Sequence, residues 1–157
     1  MNKNDLIRQI QRHLDNPQKS ERWAMYRLIT PVVDFANSTM GLLAYFEFNQ
    51  TSEHKTSQSV DIALLDGTEP RVMVEAKRVD KRIAAEQISK YMRPDVRGVV
   101  TNGVHWVMCL NGRSKAVSIR STDDGKAMVQ SLNEVVAFIR GEVAARSGWC
   151  SMRCPRP

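Results

Sequence analysis

Residues 59–78 read S-V-D-I-A-L-L-D-G-T-E-P-R-V-M-V-E-A-K-R, two apolar-rich runs at 60–65 and 71–76 around a centre that holds Asp66, Gly67 and Pro70. This pattern predicts a β-hairpin. Side chains alternate along a strand, so Val72, Val74 and Ala76 share one face while Met73, Glu75 and Lys77 share the other. With a five-residue loop at 66–70, Leu65 pairs with Arg71 and the register carries Asp61 directly opposite Glu75. A two-residue turn at Asp66 and Gly67 shifts the pairing by an odd number, and an odd slip turns residues to the opposite face.

Like charges opposed on a sheet destabilise it, and a hard divalent cation such as Mg²⁺, which prefers oxygen ligands, is the usual remedy. Lys77 then lies one pleat beyond the acidic pair. The triplet E-x-K alone says little, since ordinary residue usage produces one by chance in about one chain of this size in two. Its weight comes from its surroundings.

A chain of 157 residues fits one domain, expected at 1–146, with 147–157 as a flexible basic tail containing Arg153 and Arg156. A formal charge of +6 favours contact with polyanions. No apolar run approaches a membrane span and the N-terminus lacks a signal-peptide core, so the expected location is the cytoplasm, without membrane association. Three cysteines form no framework pattern, and Cys150 and Cys154 lack the further ligands of a structural zinc site.

Leu6, Ile7, Ile10 and Leu14 predict a first helix from Asn4 that Asn16-Pro17 ends. A second begins near Ser20 as N-cap, and its apolar positions Trp23, Met25, Tyr26, Leu28, Ile29, Val32 and Val33 cover a broad face, with Pro31 kinking or dividing it. Glu21, in its first turn, suits the helix dipole. Residues 42–48 read as a strand, and 49–58 as a polar loop in which His54 is assigned no role.

After the hairpin, residues 82–92 predict a helix with Ile83, Ala84, Gln87, Ile88 and Tyr91 turned inward. Gln87 in that row is either a hydrogen-bonded core amide or, with Tyr91, the lining of a polar site. Arg82, Lys90 and Arg93, with Lys77, Arg78 and Lys81 just upstream, make this the densest basic neighbourhood of the chain. Residues 97–101, 105–110 and 115–120 predict short strands that extend the sheet antiparallel. Ser131 and Glu134 form a capping box for a last helix with Leu132, Val135, Val136, Ile139 and Val143 on its buried face. No phosphate-binding loop of the ATPase type is present in the sequence.

The order of these features, a helix with Glu21, a hairpin with Asp61 and Glu75-Ala76-Lys77, then Q-I-S-K-Y at 87–91, resembles the PD-(D/E)XK nuclease superfamily. With E-A-K-R at 75–78 and T-N-G-V-H-W at 101–106, the chain is similar to the N-terminal nuclease domain of type I restriction endonuclease R subunits. The resemblance implies an α/β restriction-endonuclease-like fold, a central mixed sheet flanked by helices. It also implies Mg²⁺-dependent hydrolysis of DNA phosphodiesters, with Mn²⁺ as a substitute. Asp61, Glu75, Lys77 and Gln87 become the implied catalytic residues, and Glu21, Asp61, Glu75 and the carbonyl of Ala76 the implied metal ligands. Arg78, Lys81, Arg82, Lys90 and Tyr91 become the implied DNA contacts.

The family's proline before the first aspartate is Val60 here. Without a motor of its own, such a nuclease acts alone, as an oligomer, or with a separate motor or targeting protein. The competing readings are a catalytically inactive DNA-binding or assembly module on the same fold, and a basic structural protein in which Glu75 and Lys77 are a surface pair.

Overall fold

The computed structural model describes residues 1–49, 59–120, 126–143 and 149–151, with side chains from residue 128 onward in the third of these segments. The strands are β1 (Leu43–Asn49), β2 (Ser59–Asp66), β3 (Glu69–Ala76), β4 (Arg97–Thr101), β5 (His105–Leu110), β6 (Arg113–Ser118) and β7 (Cys150–Ser151). They form one seven-stranded sheet in sequence order. All neighbours pair antiparallel except β3 and β4, which run parallel with Val74 beside Val99.

That parallel pair corrects the expectation that the strands after the hairpin extend the sheet antiparallel throughout. A parallel neighbour needs a crossover connection, and residues 77–96 provide it, returning the chain to the end of the sheet where β3 began. The sheet is therefore mixed, as the fold class implied.

The hairpin reaches the expected register by a different route. Its turn is tight, with Asp66 paired to Glu69 and Leu65 to Pro70, but the register shifts between Leu64 and Leu65 so that Leu64 meets Val72 and Ile62 meets Val74. Arg71 is the extra residue of a β-bulge, which displaces the pairing by one. Continued by one pair, that register sets Asp61 beside Glu75. The tight turn alone would have separated them; the bulge undoes its effect.

Helix α1 (Lys3–Leu14) starts at Asn2, whose side chain accepts from the Asp5 amide. Helix α2 (Glu21–Ala24) is capped by Ser20, passes through a π-helical turn (Met25–Ile29), and continues as α3 (Thr30–Asn37). Pro31 explains the wide turn. It has no amide hydrogen to donate and its ring crowds the carbonyl four residues back, and the π turn, closed by Thr30 N–H to Met25 C=O, gives the chain room to continue.

Helix α4 (Glu86–Ser89) is a single turn, far shorter than the helix expected over residues 82–92, because residues 82–84 run as irregular chain and Ile83 packs on the sheet from there. Helix α5 (Lys126–Ile139) begins before Ser131, so Ser131 and Glu134 lie in its interior and make no capping box. Glu134 instead forms an ion pair with Lys115 on β6.

Two apolar layers sandwich the sheet. On one face α1, the π-helical turn, α3 and α5 bury Leu6, Ile10, Leu28, Val33, Leu132 and Phe138 against Ile62, Val72, Val74 and Trp106, whereas Tyr26, expected on the apolar face, is exposed. On the other, Ile88 and Tyr91 cover Ala63, Met73, Val100 and Cys109. The tail expected to be flexible contributes β7, where Cys150 pairs with Ser114, and Trp149 packs on Phe138 at 5.5 Å between ring centroids. The rest of that tail, and the loop with His54, lie outside the described residues. No helix among the described residues is long and apolar enough to cross a membrane.

Candidate active site

The acidic pair sits where β2 begins and β3 ends. Asp61 is half-buried, and its Oδ2 accepts a hydrogen bond from the Ala76 amide at 2.7 Å. Glu75 Oε1 accepts from Lys77 Nζ at 2.8 Å, while Glu75 Oε2 is buried without a partner. The Glu75 side chain is 14% exposed and that of Lys77 26%. The Lys77 amide donates to Thr101 C=O at 2.8 Å, which ties the end of β3 to β4. The structure thus brings Asp61, Glu75, Ala76 and Lys77 together.

Burial sets the electrostatics. It raises the carboxyl of Asp61 above its ordinary value, assisted by the charge of Glu47, against the opposing pull of the Ala76 hydrogen bond and the Lys77 charge. Burial likewise raises Glu75, with Asp61 adding to it and Lys77 and Lys90 working the other way. For Lys77 burial favours the neutral amine, but the hydrogen bond and charge of Glu75, then the charges of Glu21 and Asp61, outweigh it and leave the pKa raised. Two strained acids and one firmly charged lysine result.

Glu21 reaches this neighbourhood from the first turn of α2. It lines a cleft of about 470 Å³ together with Arg22, Tyr26, Phe46, Glu47 and Asp61. Among the described residues, no three His, Cys, Asp or Glu side chains converge closely enough to hold a metal ion between them. The donor set nevertheless suits a hard cation at one point: the partnerless Glu75 Oε2 is an anionic oxygen buried beside Asp61, the arrangement that a cation relieves.

The other expected residues divide. Gln87 turns back on its own segment, its Oε1 accepting from the Ala84 amide at 2.9 Å just before the short helix. Tyr91 is 5% exposed, and its hydroxyl donates to Ser59 C=O at 3.0 Å. The ring belongs to the core layer that also holds Val60 and Ala63 of β2. Lys90 lies over that ring at 4.9 Å and is exposed. Arg78 is held by Asp80 through two hydrogen bonds, at 3.1 and 3.0 Å, whereas Lys81 and Arg82 are exposed and line a second cleft of about 570 Å³ with His105 and Ser118.

Two features escaped sequence reasoning. Glu47 occupies the β1 position opposite Asp61, between the pairs Phe46 with Ile62 and Phe48 with Val60, and its φ of 52° breaks the ladder there. Its only signal is being the one charge in an apolar strand. Asn102, 1% exposed, donates to the carbonyls of Val79 and Lys81 at 3.2 and 2.9 Å and accepts from the amides of Val104 and His105 at 3.0 and 2.8 Å. It straps the segment after Lys77 to the β4–β5 turn. Gly103 completes that turn at φ +89°, where a Cβ would lie 2.7 Å from Leu28 of the π-helical turn.

The seven-stranded mixed sheet with helical layers is the restriction-endonuclease-like α/β fold class that the sequence implied. No protein-family model matches the chain, and no curated protein matches it. Among solved structures, a chain in the cryo-EM structure of the DrdV–DNA complex is similar in fold, with a TM-score of 0.59 and 19% identity over 86% of this chain and 96% of that one. At that identity the likeness concerns the fold alone.

Proposed function

We infer that this protein is a divalent-metal-dependent deoxyribonuclease of the PD-(D/E)XK type, related to the nuclease domain of type I restriction R subunits. One observation carries the reading. Asp61 and Glu75 meet from adjacent strands with Lys77 hydrogen-bonded to Glu75, while a buried Glu75 oxygen has no partner in the protein. The similarity in fold to a chain solved in complex with DNA, and the formal charge of +6, support DNA as the substrate.

Asp61 and Glu75 would hold Mg²⁺ or Mn²⁺, with Glu21 and the Ala76 carbonyl as further oxygens. The ion supplies charge screening for the phosphodiester and lowers the pKa of a bound water. Lys77, kept cationic by its acidic neighbours, stabilises the charge that develops on the phosphate and orients the attacking water. Lys81, Arg82 and Lys90 grip the backbone without reading sequence. Gln87 acts on the site by holding the segment that precedes α4, and Tyr91 by supporting β2 from below.

Incubation of the purified protein with labelled DNA and Mg²⁺ or Mn²⁺ tests this directly. Cleavage should vanish with a chelator and fall steeply in Asp61→Asn, Glu75→Gln and Lys77→Ala; cleavage undiminished in those variants refutes the site. The second reading, a DNA-binding module without hydrolysis, draws on the internal pairing of Asp61 Oδ2 and Glu75 Oε1. It predicts salt-sensitive DNA binding with no metal-dependent cleavage.

A further inference from the structure

Two large rings stand in solvent at the mouth of the candidate site. Tyr26 is 59% exposed and Phe46 51%, and both line the cleft that holds Glu21 and Asp61. Tyr26 projects from the π-helical turn and Phe46 from β1, an edge strand on which only Phe48 is partly shielded. Arg22, one helical turn before Tyr26, lines the same cleft. Exposed rings gathered at one place mark a binding surface. A protein partner settled on these two would close the cleft over Asp61. The occupant compatible with a working site is the substrate itself.

We propose that Tyr26 and Phe46 form a stacking platform for unpaired nucleobases, so that the DNA reaching Asp61 is single-stranded or locally opened rather than intact duplex. The inference rests on the nuclease reading above and adds the form of the substrate. In a duplex the faces of the bases are covered by their neighbours and only the edges show in the grooves. A side-chain ring can stack only on a base that has left the helix, and such stacking tolerates any sequence because every base has a π face. Arg22 supplies a cation for the phosphate that follows. Glu21 and Glu47 in the same cleft repel a bare strand, so binding there requires a divalent cation.

The test compares a labelled oligothymidylate with a duplex of the same length, with Ca²⁺ present for binding and Mg²⁺ for cleavage. The wild-type protein should bind the single strand several-fold more tightly than the duplex. Tyr26→Ala and Phe46→Ala should each weaken that binding on the order of tenfold, with Tyr26→Phe near wild type. Both positions are exposed, so the variants fold. Equal binding of strand and duplex, insensitive to either ring, overturns the platform, as does duplex cleavage at the wild-type rate by both ring variants. So does a concentration-dependent dimer that Phe46→Ala dissolves without touching DNA binding, which would make the patch a contact between copies. Ring-dependent binding without any metal-dependent cleavage supports the platform and overturns the nuclease reading instead.

Discussion

The carboxylate of Asp61 on β2 accepts the amide of Ala76, the last residue of β3, at 2.7 Å. One acid therefore replaces a rung of the backbone ladder and is held in place by the strand that carries its partner. The bond fixes the carboxylate's position, while burial raises its pKa.

Asp61→Asn should separate these two effects. The amide oxygen still accepts from Ala76, but the buried charge is gone, so the melting temperature without metal should rise at neutral pH. Metal-dependent cleavage should fall at least about 100-fold, given what even second-rank metal-site residues cost. Thermal melts with and without Mg²⁺, beside single-turnover rates, check both halves. A fall in melting temperature without metal would show that the charge contributes to stability.

The pH dependence follows from the same raised values. A carboxyl whose folded pKa exceeds its unfolded one binds protons more tightly in the folded state, so stability is gained as pH falls below the folded pKa and lost as pH rises through it. Asp61 and Glu75 both act in this sense. Metal binding requires the ionised forms, so Mg²⁺ affinity and cleavage should rise with pH over the window just above the ordinary carboxylate range, while stability without metal declines there. Calorimetric Mg²⁺ titration at stepped pH measures it, and the trend should flatten in Asp61→Asn.

How much of this was legible beforehand depended on range. The hairpin, its faces and the meeting of Asp61 with Glu75 follow from a two-residue period over a short stretch. Even so, the register came out through Arg71 as a bulge, because a tight turn and a bulge together leave the same far-end pairing as a longer loop. Helix α4 shrank because an apolar stripe at Ile83, Ala84 and Ile88 suits an extended strap against the sheet as well as a helix. The parallel β3–β4 pair and the opposition of Glu47 to Asp61 depend on how distant segments return, which no local pattern records. The roles of Asn102 and Gly103 were hidden for a related reason: T-N-G reads as a turn, and only the fold shows what the turn touches.

Asn102→Ala should be strongly destabilising. It removes four hydrogen bonds from a residue 1% exposed and leaves part-buried backbone groups without those partners. The cost should be about 2–5 kcal/mol, a loss of roughly 5–15 °C in melting temperature for a chain of this size. Cleavage at a temperature where the variant remains folded should also drop, since the strap after Lys77 loses its anchor. Calorimetry and rates on the same sample separate the two effects.

Lys77→Ala should cost about 10²–10³ in cleavage rate by analogy with the loss of one stabilising donor, with Mg²⁺ binding retained. It also leaves Glu75 Oε1 without its hydrogen bond, so stability should fall by about 1–3 kcal/mol in the absence of metal. Added Mg²⁺ should recover part of that loss, because the cation then serves both Glu75 oxygens. Melting the variant across a Mg²⁺ series tests this, and no recovery would place the ion elsewhere.

Charge removal along the basic segment should not be uniform. Lys81 and Arg82 are exposed, so neutralising either should reduce the slope of log affinity against log salt by about 0.9 for each phosphate left unneutralised on duplex DNA and about 0.7 on a single strand. Arg78 is different: both of its hydrogen bonds run to Asp80, so its charge is partly neutralised within the protein and Arg78→Ala should shift the slope less. Tyr91→Phe should leave the slope unchanged, since that hydroxyl donates to Ser59 C=O and the ring is 5% exposed. DNA binding titrated at several salt concentrations orders these variants. A Tyr91 effect as large as that of Lys81 would mean that the core layer under β2 opens when DNA binds.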